Sequence, residues 1–152
     1  MKLTPSEAQA KYGPIVNNTW PNEAKFCAIY KTPDWFAKQV INTATNAPCT
    51  KIYMNKDMIP MLDKALQLLV DRNLTAELKT MDGCFMIRQI RGSKTEMSAH
   101  SYAIAIDLNA KENPLGGPVV FSKDFLQCFK DAGFTLGAEF SRIDAQHFSL
   151  GW

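Results

Sequence analysis

The stretch SYAIAIDLN, residues 101–109, alternates so regularly that an extended strand is the one conformation that sorts its side chains. At a period of two, Ile104, Ile106 and Leu108 fall on one face and Ala103, Ala105 and Asp107 on the other. The isoleucine face has to be buried, so the chain needs a sheet with a core against it. The opposite face carries small side chains leading to an acid, and is expected to form the floor of a site. A chain of 152 residues with 46% hydrophobic content supplies one core of that kind, which predicts a single domain over 1–152.

Other segments supply the partners. KDMIPMLDKALQLLVDRN, residues 56–73, places Met58, Leu62, Ala65, Leu66 and Leu69 at three- and four-residue steps, which predicts a helix packed on the sheet. LTAELKT alternates, Asp82-Gly83 is a hairpin signal, and CFMIRQI reads as the returning strand. SKDFLQCFKDAGF predicts a second helix with Ser122 as N-cap and Gly133 past its end. Thr4-Pro5 opens a short helix that Gly13 and Pro14 would close, whereas residues 14–50 are rich in turn formers and give few elements. The expected class is α+β, a small, largely antiparallel sheet with helices packed on one side, its core within 51–152.

Charge and cysteine content narrow the chemistry. A net charge of +2 without runs of like charge gives nucleic-acid binding no support. The start MKLTPSEAQAKYG lacks an apolar signal region, and no stretch approaches the roughly 20 apolar residues of a membrane span. The expected location is therefore the cytoplasm, as a monomer. Cys27, Cys49, Cys84 and Cys128 include no C-x-x-C pair, so they are expected to be buried free thiols and not a cysteine metal site.

His100 and His147 are the two histidines of the chain. His100 precedes Asp107 by seven residues, an odd number, so it must stand on the preceding loop with Ser98 and Ser101 and curl back over the strand. A lone His beside an Asp is most often a structural hydrogen-bonded pair. The second histidine alters that balance, because in FSRIDAQHFSLGW it too follows an acid, Asp144, at three residues. Two imidazoles and one carboxylate form a catalytic zinc set whose open position holds water. An acid outside that set, Asp144, would act as the general base.

Two motifs then carry a resemblance. SAHSYAIAID resembles the S-x-H-x-x-x-x-A-x-D signature of the zinc peptidases that include D-alanyl-D-alanine carboxypeptidases, D-alanyl-D-alanine dipeptidases and phage L-alanyl-D-glutamate endolysins, and DAQHF resembles their second motif. GCFMIRQIRGSKTEMSAHSYAIAIDLNAKENP is similar to the phage endolysin branch, and the likeness spans about residues 55–152, with the first 50 matching loosely. It implies a hedgehog/D-Ala-D-Ala peptidase-like fold and one zinc ion held by His100, Asp107 and His147, with Asp144 as base. Arg88 would steady the substrate carbonyl from a strand, with Arg91 as the alternative cation, and Ser98 would orient His100 or touch substrate. The implied function is cleavage of the L-Ala-D-Glu bond in the peptidoglycan stem peptide, by a protein held in the host cytoplasm until a holin releases it. No separate wall-binding module is expected. The alternatives are a D-alanyl-D-alanine carboxypeptidase or dipeptidase on the same site, and a zinc-bearing binding module without catalysis. Two departures from the pattern stand out: Ala103 where many relatives have glycine, and LGA at 136–138 where they have an aromatic-Gly-Gly stretch.

Overall fold

A computed structural model describes residues 2–152. Helix α1, Pro5–Tyr12, starts where expected, with a reciprocal cap in which Thr4 Oγ1 accepts from the Glu7 amide and the Thr4 amide donates to Glu7 Oε2. It buries Ala8 and Tyr12, and the Tyr12 hydroxyl donates to Asp57 at 2.7 Å. The turn-rich region holds more structure than its composition suggested: α2 (Glu23–Phe26), β1 (Cys27–Lys31), α3 (Asp34–Gln39), β2 (Ile41–Asn42) and β3 (Ala47–Pro48). These elements are four to six residues or fewer, too short to show a period. β1 pairs antiparallel with β4, Lys51–Asn55, as a separate two-stranded sheet.

Helix α4, Ile59–Asp71, buries Leu62, Ala65, Leu66 and Leu69, the face its spacing predicts. The later α5, Lys123–Asp131, is capped by Ser122 Oγ, which accepts from the Phe125 amide, and Gly133 follows in the left-handed region at φ +104°. Phe125 and Phe129 of α5 stack at 5.3 Å, and Phe129 meets Phe148 at 4.3 Å. Phe129 is fully buried. Phe129→Ala is expected to cost about 3–5 kcal/mol, a large part of a typical total of about 5–15 kcal/mol, read as a lowered denaturant midpoint with an unchanged slope.

The principal sheet is completed by β5 (Thr80–Gly83), β6 (Ala105–Leu108), β7 (Thr135–Leu136) and β8 (His147–Ser149), in the order β3-β2-β5-β6-β8-β7. All its pairings are antiparallel except β2 with β5, so the class is α+β as expected. The anticipated Asp82-Gly83 hairpin does not form. Both residues lie inside β5, where the Asp82 carboxylate accepts from Thr43 Oγ1, Thr80 Oγ1 and the Ala110 amide. The bonds from Thr43 and Ala110 tie Asp82 to the residue after β2 and to the exit of β6, so it supports a strand instead of a turn. Residues 84–90 accordingly form no strand, and Thr75–Glu77 is a single helical turn.

The strand in SYAIAIDLN is also shorter than its alternation predicts. Ala99–Tyr102 is a turn of 3-10 helix, Ala103 sits in the left-handed region at φ +54°, and β6 begins at Ala105. Ala103 and Ala105 are wholly buried, so the alanine face is packed and is no open floor. The left-handed backbone at 103 is one that glycine adopts more readily than alanine.

Candidate metal centre and cleft

β6 and β8 pair antiparallel with Asp107 directly opposite His147, so the ladder itself sets this acid and this imidazole side by side. His100 reaches the same point from the 3-10 turn, whose left-handed exit at Ala103 folds the turn back over the strand. Ser98 caps that turn, its Oγ accepting from the His100 amide. Its action on His100 is therefore through the backbone.

His100 Nε2 stands 3.3 Å from Asp107 Oδ2, and His147 Nδ1 stands 3.4 Å from Asp107 Oδ1. The outer nitrogen of each imidazole is anchored by a main-chain oxygen: His100 Nδ1 donates to Cys84 O and His147 Nε2 to Trp152 O, both at 2.8 Å. Those anchors place the protons outward and turn a lone pair of each ring inward. Two imidazole lone pairs and a carboxylate then face one another as acceptors. His100 Nε2 and Asp107 Oδ1 are buried without a hydrogen-bond partner, a costly arrangement unless a cation fills it.

The donor atoms of His100, Asp107 and His147 lie within 4.8 Å of one another. Two imidazole nitrogens and a carboxylate oxygen this close together are a donor set that suits zinc. An aspartate is ordinarily ionised near neutral pH, and beside two inward lone pairs Asp107 supplies the negative charge that a bound cation would balance.

Asp144 stands on the loop before β8, where its amide donates to Gly137 O and its carbonyl accepts from the His147 amide. Its Oδ1 is buried without a partner. Burial raises the carboxyl's pKa above its ordinary value, assisted by the charge of Asp107, while His147, His100 and Arg88 pull the other way. A desolvated acid next to the ligands, free of any structural bond at Oδ1, is suited to accept a proton. A β-carbon at Gly137 would collide with the Asp144 carbonyl and come within 2.9 Å of His147 Cβ. Gly137 is thus a position that the packing of this loop requires to be glycine. Gly137→Ala is expected to displace the loop and reduce zinc-dependent turnover by about 100-fold, measurable as kcat at saturating zinc.

These residues open onto a cleft of about 470 Å³, lined by Arg88, Arg91, Ser98, Asp107, Asp144 and His147, together with Leu115, Phe140, Arg142 and Trp152 among others. Arg88 is not on a strand, contrary to expectation. It is nonetheless held, since Ser101 Oγ accepts from its amide and donates to its carbonyl, which also accepts from the Ser98 amide. Arg91 lies on an exposed turn. Arg88, whose charge reaches Asp144, stands in the better position of the two to act on a reacting group. Arg142, Phe140 and Trp152 escaped sequence reasoning. Proximity to the DAQHF motif was the one signal for the first two, and Trp152 gave none.

Cys27 and Cys49 are buried free thiols whose pKa burial raises to about 11, so they offer no competing nucleophile or ligand. Among the described residues, no helix is long and apolar enough to cross a membrane.

Residues 91–150 match the family model described as D-alanyl-D-alanine carboxypeptidase, a match that spans His100, Asp107, Asp144 and His147 but begins after Arg88. Together with the His-Asp-His group, it supports a metallopeptidase. Neither the curated proteins nor the solved structures yield a significant match.

Proposed function

We propose that the protein is a zinc peptidase that cleaves the L-Ala-D-Glu bond of the peptidoglycan stem peptide, in the manner of a phage endolysin. The observation that carries this reading is the convergence of two anchored imidazoles and an anionic carboxylate beside a second, unbonded acid. His100, Asp107 and His147 would hold the ion, which when bound supplies Lewis acidity and makes water acidic near neutral pH. Asp144 accepts the proton of the attacking water at Oδ1 and delivers it to the amine that leaves. Arg88 faces the charge that develops on the scissile carbonyl oxygen, and Arg91 binds substrate at the rim. Three cleft guanidiniums, those of Arg88, Arg91 and Arg142, suit a peptide with several carboxylates, as the stem peptide around D-Glu has. The protein would act as a monomer, on the wall, after release from the host cytoplasm.

A second reading, D-alanyl-D-alanine carboxypeptidase or dipeptidase activity, is favoured by the description of the matching family. Defined muropeptides separate the two. New amino groups on D-Glu support the endopeptidase, released D-alanine supports the alternative, and intact muropeptides leave a zinc-bearing binding module without catalysis.

A further inference from the structure

We infer that Trp152 is a positioning residue that links the metal ligand His147 to the cleft loop carrying Arg88, Arg91 and Ser98. The inference rests on the reading of His147 as a metal ligand. The two histidines are anchored differently. His100 leans on the carbonyl of Cys84, a buried residue directly after β5, which the sheet holds in place. His147 leans on the main-chain oxygen of Trp152, which lies beyond β8 and has no strand partner.

What holds Trp152 is its own side chain. The indole Nε1 donates to the Met97 carbonyl at 3.0 Å, next to Ser98 and across a bridge from Gln89. The approach to Trp152 is also constrained: the Gly151 amide donates to Ser149 Oγ at 3.2 Å, the Leu3 amide donates to the Leu150 carbonyl at 2.8 Å, and a β-carbon at Gly151 would collide with the Leu3 main chain. Trp152 also lines the cleft. One residue therefore fixes the ring of a ligand through its carbonyl, and fixes itself to the substrate loop through its N–H.

The consequence is a coupling between loop and ligand. When Met97 moves, the carbonyl that directs the His147 proton moves with it, and the inward lone pair of Nδ1 loses its aim. Loss of such a ligand anchor typically weakens metal binding by about 10–100-fold.

The test compares the full chain with a chain lacking Trp152 and with Trp152→Phe, which keeps the carbonyl and a ring but removes the N–H. Zinc dissociation constants are measured by competition with a chromogenic chelator, and the imidazole nitrogens of the metal-free proteins are observed by nitrogen-15 NMR. The truncation is expected to weaken zinc about 10-fold or more, Trp152→Phe to lose part of that, and the His147 signals to shift from a pure Nε2–H tautomer to a mixture in both. Unchanged zinc affinity and an unchanged tautomer in Trp152→Phe overturn the link through Met97, whatever the truncation does, and that variant decides alone if the truncated chain does not fold. Absence of zinc binding by the full chain overturns the metal reading itself, which keeps the two failures distinct.

Discussion

His100→Ala and His147→Ala are expected to lose both the bound zinc and all measurable peptidase activity. In the proposed site each ring would supply one of three protein donors, and the remaining imidazole and carboxylate would leave a two-donor site too weak to retain the ion through dialysis. The neighbouring surfaces amplify the loss, because both rings are buried, at 3% and 6% exposure, and their removal leaves the Cys84 or Trp152 carbonyl without its donor. Leaving the carbonyl of buried Cys84 unsatisfied costs about 1–3 kcal/mol in His100→Ala, so circular dichroism must accompany the assay to show that the fold persists. Metal content by plasma emission spectroscopy, together with turnover of muropeptides, decides the matter. Stoichiometric zinc in either variant would remove that histidine from the ligand set.

Asp144→Asn should do the reverse, keeping the zinc and losing turnover. The carboxylate makes none of the close contacts that join His100, Asp107 and His147, and asparagine preserves its shape and the main-chain bonds to Gly137 and His147. What disappears is the capacity to take a proton at the buried Oδ1. Loss of a general base typically costs about 100-fold or more, so kcat should fall by that factor with the zinc dissociation constant near that of the parent. Zinc lost along with activity would make Asp144 a ligand, and activity kept intact would assign the base to another group.

The long helices and their buried faces were legible because periodicity is local: Leu62, Ala65, Leu66 and Leu69 report their own environment, and Ser122 and Gly133 mark ends that depend on neighbours a few residues away. The juxtaposition of His100, Asp107, His147 and Asp144 was legible from short motifs with chemically specific members. What escaped depends on distant partners. Asp82 reads as a turn residue until Thr43 and Ala110 arrive to bind its carboxylate, and the strand around it is a product of those contacts. Ala103 looks like a strand residue because alternation says nothing about a left-handed exit from a turn. Arg88 was expected on a strand and instead takes its place from Ser101, thirteen residues later.

The register of β6 against β8 has one more consequence. Asp107 and His147 are brought opposite each other by a hydrogen-bonded ladder of main-chain groups, and the ring of His100 is seated by a carbonyl of the protein interior. In zinc fingers the metal organises an otherwise unfolded chain. Here the donors stand on a strand ladder and an interior carbonyl, so chelation should silence the protein without melting it, and fresh cation should restore it without a refolding step.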